Sequence, residues 1–195
     1  MLTSSLSKAS VILLNGLFCV TTAAAQDRSI DTAHSVLKIR VFKSGIFSAF
    51  AHDHELVAPL GDGTVHLADN PSVALSIHAR ELRVLDPDVS SEQRADIQAT
   101  MEGPEVLDIK RFPEISFQST AVKRKDDQHW VVRGNLMLHG QTSALDVDVE
   151  FKDNHYQGFA QLRQHDFGMT PVRIAGGTVK VKDELQIEFD IVLKS

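Results

Sequence analysis

Leu145-Asp146-Val147-Asp148-Val149-Glu150-Phe151 alternates apolar and acidic side chains without a fault. Successive side chains of a strand leave opposite faces, so this run has a dry face and a carboxylate-bearing wet face. The same rhythm recurs in Leu185-Gln186-Ile187-Glu188-Phe189-Asp190-Ile191 and in Ser35-Val36-Leu37-Lys38-Ile39-Arg40-Val41. One wet and one dry face is the mark of antiparallel sheet, and no strand–helix alternation is present to suggest a parallel one.

Working outward, shorter strand candidates are Val73 to Ala79, Ile115 to Val122, Trp130 to Leu138, Tyr156 to Leu162 and Thr178 to Val181. Turn residues separate them: Gly61-Asp62-Gly63, Lys125-Asp126-Asp127, Asp153-Asn154 and Gly176-Gly177. One stretch breaks the rhythm. Ser90-Ser91-Glu92-Gln93 has the form of a capping box, and a helix from there to about Glu102 would close at Gly103-Pro104. A single helix among many amphipathic strands predicts an all-β, closed antiparallel barrel with a helical lid or plug.

The chain has 195 residues, 43% apolar, which suits one domain and supplies enough material for a core. Twenty Lys and Arg face 26 Asp and Glu with no basic block, which argues against nucleic acid or an anionic surface as the main partner. The first 25 residues read as a leader. Lys8 supplies the positive charge, Ala9 to Val20 is an apolar run too short to span a bilayer, and Ala23-Ala24-Ala25 offers small residues before a cleavage point at Gln26. A retained anchor is the alternative, disfavoured by that short run. Phe18 before Cys19 speaks against a lipoprotein signal, because a small residue is required there. The expectation is therefore a periplasmic or secreted domain over 26–195 with no membrane segment after cleavage. Its cysteine would be gone, so stability must come from the core.

The order Asp31…His34-Ser35, then Val106-Leu107-Asp108…Phe112-Pro113-Glu114-Ile115-Ser116-Phe117, then Gly134-Asn135-Leu136-Met137-Leu138-His139-Gly140-Gln141-Thr142, resembles the YceI-like proteins, as does Asp166-Phe167-Gly168-Met169. The resemblance covers residues 28–194. It implies an eight-stranded, lipocalin-like barrel of the secreted or periplasmic space, holding a polyisoprenoid or other amphiphilic lipid in an elongated channel. A barrel of eight strands is the size that either packs solid or holds one ligand.

On that implication the dry faces become tunnel walls: Leu37, Ile39, Val41, Leu56, Ile115, Phe117, Leu136, Leu138, Val147, Ile187 and Phe189, with Phe47 and Phe50 near the entrance. The competing reading of the same residues is a side-chain-filled core. Burying an isoprene unit is worth roughly 3–4 kcal/mol at most, and ordering the tail and associating consume much of it. Several units still suffice for tight binding without a polar clamp.

The sharpest polar feature is Ala51-His52-Asp53-His54-Glu55-Leu56. On a strand, His52 and His54 share a face with Leu56, Ala58 and Leu60, their Cα atoms roughly 7 Å apart. They would meet the polar head of the ligand, with His165 as a further contributor. The same pair is half of a metal site, which would need a third ligand from His165, His34 or His139, with His66 and His78 less well placed. No Gly-x-Ser-x-Gly, phosphate loop or His-Glu-x-x-His is present. His34 and Ser35, adjacent on a strand, point apart and form no dyad. Arg163 and Arg173 are candidates to neutralise an acidic head, although surface solvation is the default for arginine. Trp130 and Tyr156 read as packing residues. The sequence thus favours a non-enzymatic carrier of an isoprenoid-tailed amphiphile or quinone, without a resident cofactor and with a homodimer left open. A metal-binding protein or metal-dependent enzyme on His52 and His54 is the second reading, and a filled structural barrel the third.

Overall fold

The computed structural model describes residues 27–44, 53–174 and 179–194. The leader expected over residues 1–25 lies outside them. Twelve strands follow in order: β1 Asp27–Ser29, β2 Val36–Ser44, β3 His54–Val57, β4 Asp62–His66, β5 Ser72–His78, β6 Arg83–Val84, β7 Glu114–Arg124, β8 His129–Leu138, β9 Gln141–Lys152, β10 His155–Arg163, β11 Arg173–Ile174 and β12 Val179–Val192. Helix α1, Ser91–Glu102, lies between β6 and β7. The strands form one antiparallel sheet in the order β1-β4-β5-β7-β8-β9-β10-β12-β2-β3-β6, with β11 also on β12. The sheet curls into a barrel, and the N-terminal segment ties its β1–β4 edge to the end of β12. β1 pairs with β4, while Ile30 bridges Leu193 and the Asp31 N–H donates to the Val192 carbonyl at 2.8 Å.

Among the described residues the expected eight strands become twelve: two of the sequence candidates merge into β12, and β1, β3, β4, β6 and β11, each two to five residues long, are added. These pieces extend the sheet where backbone N–H and C=O groups would otherwise lack partners. The two strands expected at Thr178 to Val181 and Leu185 to Ile191 are one, β12, interrupted by a bulge between Val181 and Leu185. The bulge admits extra residues into the strand without losing the inward face of Leu185, Ile187 and Phe189. Gly61-Asp62-Gly63 is not a turn: β4 already begins at Asp62, and residues 58–61 lead into it without a turn, the Gly61 N–H donating to the Ser76 carbonyl at 2.9 Å. The turn at Asp153-Asn154 is present, with φ of 51° and 67°, and His139-Gly140 makes an equivalent turn between β8 and β9 at 51° and 71°. Two left-handed residues at the centre of a two-residue hairpin match the twist of the strands they join.

The register settles which face is dry. Leu136 lies opposite Ser143 across β8–β9, and Val132 lies opposite Val147. Leu145, Leu136, Leu138, Val132 and Phe117 are buried, whereas Arg133 and Asp146 face each other outside in a bidentate ion pair at 2.6–2.7 Å. Hydrogen bonds from Arg133, aided by its charge, hold the Asp146 carboxyl below the usual carboxylate range. Helix α1 begins as expected: the Ser90 hydroxyl accepts from the Gln93 N–H, and the Gln93 side chain accepts from the Ser90 N–H. Among the described residues no helix is long and apolar enough to cross a membrane.

Candidate functional site

The inner face of the barrel does not close on itself. It bounds a cavity of about 1450 Å³ that runs from the β4–β5, β7–β8 and β9–β10 turns at one end to α1 at the other. Leu37, Ile39 and Val41 of β2, Leu56 of β3, Ile115 and Phe117 of β7, Leu136 and Leu138 of β8, Val147 of β9, and Ile187 and Phe189 of β12 all line it. Phe47, Phe50 and His52 lie outside the described residues, so the expected entrance and histidine pair have no placement here.

Two glycines explain how bulky rings fit a lumen that remains open. A Cβ on Gly134 would strike the Phe117 ring and the Gln118 carbonyl, and one on Gly158 would strike the Asp148 carbonyl and the Phe189 ring. Both rings therefore lie down on bare strand backbone rather than across the channel. The sequence reading named Phe117 and Phe189 as wall residues but had no signal for this, because the glycines come from other strands. Trp130 and Tyr156, read as packing residues, also line the cavity, near its turn end. Burial pushes the Tyr156 phenol up, and the charge of Arg28 only partly offsets it.

Polar lining concentrates at the ends. At the turn end lie His66, Asp69, Ser72 and Arg124; at the helix end lie Lys43, His54, Gln164 and Lys180, with Gln93, Asp96 and Thr100 of α1. Those three α1 residues share a face with Ile97 and Met101, following the i, i+3, i+4 spacing. The helix is tied down by side chains. Gln98 accepts from the Val84 N–H at 2.9 Å and donates to the Leu82 carbonyl at 2.8 Å, and Arg94 donates to the Asp86 carbonyl at 2.9 Å.

His54 is where the sequence reading placed it, on the inward face with Leu56. Its Nδ1 lies 2.6 Å from Oδ2 of Asp86, whose side chain is 3% exposed. Asp86, in the loop between β6 and α1, is a residue sequence reasoning missed. It carries no motif, and its pairing with His54 spans 32 positions. His165 is placed elsewhere. It sits with Arg163 and Arg173 in a smaller depression that shares Lys180 and Val181 with the helix end of the cavity, its ring 2.7 Å from Asp183. Burial would raise the Asp183 carboxyl, but hydrogen bonds from the His165 N–H and ring outweigh it and hold the group low. The other histidines weighed as metal ligands are each engaged locally: His34 with Asp31, His66 with Asp27, His78 with Glu114 and His139 with the Phe167 carbonyl. Among the described residues no three His, Cys, Asp or Glu side chains gather as a metal site.

Comparison with known proteins adds the relatives. The YceI-like domain model matches residues 29–193. A UPF0312 protein of Vibrio cholerae is 24% identical over 178 residues, covering 85% of this chain and 88% of its own. One from Yersinia pestis is 24% identical over 169 residues, covering 86% and 79%. Among solved structures, Burkholderia cenocepacia BcnA superposes with a TM-score of 0.67 at 18% identity, covering 85% of this chain and 99% of that one. A polyisoprenoid binding domain from Saccharophagus degradans superposes at 0.56 with 10% identity, covering 86% and 97%. At such identities the superpositions speak for the fold.

Proposed function

Since the chain belongs to the YceI-like family, matched over residues 29–193, we propose that it is a binding and carrier protein for one long amphiphilic lipid, with an isoprenoid tail, held inside the barrel. The observation that carries this reading is the cavity. Its volume of about 1450 Å³ exceeds the ~300–1,000 Å³ of ordinary small-molecule sites. Its walls are apolar along the whole length of the strands, and its polar groups lie at the two ends. That is the complement of a molecule with a long tail and a small head. The binding domain of Saccharophagus degradans, named for polyisoprenoids, shares the architecture. The tail supplies affinity through burial of apolar area, and the polar head gives orientation.

In this reading the protein does no chemistry on the lipid. It works as an exported carrier with a leader removed before Gln26. Native mass spectrometry of protein purified without detergent tests the reading. The expected result is one retained lipid-sized mass per chain, released by organic extraction and restored by adding an isoprenoid. A bare chain that also fails to take up any long-tailed lipid overturns it. N-terminal sequencing of the same sample, expected to begin at or near Gln26, tests the export step.

A further inference from the structure

Seven described histidines pair with a carboxylate through Nδ1: His34, His54, His66, His129, His155 and His165 within hydrogen-bond distance, and His78 at 3.5 Å. Six of those carboxylates are 26–69% exposed; Asp86, the partner of His54, is 3% exposed. An exposed pair of this kind adds little. A buried carboxylate aimed at a cavity-lining imidazole is a fixed device. Asp86 is held on both oxygens, Oδ2 by the His54 ring at 2.6 Å and Oδ1 by the Glu55 N–H at 2.8 Å. Its carbonyl accepts from Arg94, and the preceding residue is fixed by the Leu85 N–H donating to the Glu55 carbonyl.

This arrangement fixes the imidazole tautomer. A carboxylate only accepts, so the hydrogen of the neutral ring sits on Nδ1, and Nε2 is left as a lone pair. No described residue bonds Nε2, and the ring borders the cavity. Resting on the lipid-carrier reading above, we infer that His54, oriented by Asp86, is the head-recognition residue, and that it selects lipids whose head donates a hydrogen: an isoprenoid alcohol or phenol, in preference to an ether, a ketone or a quinone carbonyl. A head that only accepts would face lone pair against lone pair. An anionic head would meet the Asp86 carboxylate just behind the ring. Lys43 and Lys180 on the strands and Asp96 on α1 are the charged side chains lining the same end.

The test uses one C20 isoprenoid tail carrying four ends: hydrogen, hydroxyl, methyl ether and phosphate. Binding is followed through Trp130, the only tryptophan, which lines the cavity far from His54. At pH 8.5, above the ordinary imidazole range, the alcohol should bind wild type about tenfold tighter than the ether, the scale of one buried hydrogen bond. In Asp86→Asn the amide oxygen still accepts from Glu55, so its N–H₂ turns to His54 Nδ1 and moves the ring hydrogen to Nε2. Ether and alcohol should then bind alike, because an alcohol can also accept. Nitrogen NMR of the wild-type ring gives an independent reading: the Nδ1–H tautomer is expected, with the Nε2 resonance moving when alcohol is added. Equal affinity for alcohol, ether and hydrocarbon in wild type, an Nε2–H tautomer, or tightest binding of the phosphate each overturns the head assignment. The carrier reading survives all three. Failure of every tail to bind overturns the carrier reading itself.

Discussion

The β7–β10 wall and the helix end of the barrel bury their backbones by different means. The wall is four strands of nine to twelve residues in unbroken antiparallel pairing, apart from one irregularity between Ser119 and Ala121. Its backbone is satisfied by neighbouring strands and its inward face is apolar. At the helix end, β3 and β6 span four and two residues, and side chains replace the missing ladder. The Gln98 amide bonds Val84 and Leu82 as a further strand would, and Asp86 receives the Glu55 N–H. A wall built from repeated local pairs resists loss anywhere only as strongly as its packing. An end built from a few side chains can be altered one residue at a time, which suits the part of a carrier that reads a head and lets it in.

The strongest way to break this contrast is to put a charge in the wall. Phe117 is buried against Gly134 and the cavity. Phe117→Asp should cost about 3–5 kcal/mol, the scale of an unpaired buried charge, and the new carboxyl should titrate high because burial disfavours its ionised form. Asp148→Asn on the outside, which removes only the half-exposed contact with Lys125 at 2.7 Å, should change stability by less than about 1 kcal/mol. Urea unfolding measures both. A loss below about 1 kcal/mol for Phe117→Asp would mean that the lumen is wet and the wall is not the apolar surface described here. On whichever fraction of this variant folds, lipid retention should be lost.

At the helix end the expected loss is smaller and local. Gln98→Leu keeps the bulk of the side chain but strips partners from the Val84 N–H and the Leu82 carbonyl, at about 1–2 kcal/mol in all for groups that water partly recovers. Hydrogen exchange should show Val84 losing protection while Leu136 in the wall keeps it, and bound lipid should exchange faster. Uniform loss at both positions would show that the two regions unfold as one unit and that the contrast has no dynamic content.

The same contrast sorts what the sequence discloses. The wall is legible because its information is local: Leu145 to Phe151 states its own alternation, and Ser90 with Gln93 states its own cap. That the residues from Leu37 to Phe189 face inward follows from period two; that they line an open channel is an implication of the family resemblance. Non-local pairings leave no such trace. Asp86 reaches His54 across 32 positions, Gly134 receives a ring from β7, and Gln98 serves a two-residue strand that no pattern announces. Even the strand count fails for this reason, since the short β1, β4, β6 and β11 are defined by the neighbours they pair with rather than by a pattern of their own. Thr178 to Val181 and Leu185 to Ile191 merged because a bulge, and not a turn, connects them.

The smallest effect belongs to the outer face of the wall, and it sharpens the claim that the wall rests on packing. Arg133 and Asp146 form the bidentate pair between β8 and β9, both exposed. Arg133 holds the Asp146 carboxyl down, first by hydrogen bonding and then by charge. A carboxyl depressed in the folded state contributes stability above the ordinary carboxylate range, and loses that contribution as pH falls through its folded value. Arg133→Met should therefore leave unfolding at neutral pH unchanged within error, since solvent screens an exposed pair. It should raise the Asp146 pKa toward the ordinary value and flatten the acid limb of the stability profile slightly. Carbon NMR titration of the Asp146 carboxyl, compared with the urea midpoint at pH 7 and pH 4, checks both halves. A clear loss of stability at neutral pH would mean that charge pairs on the outside, rather than the apolar inner face, hold the wall in register.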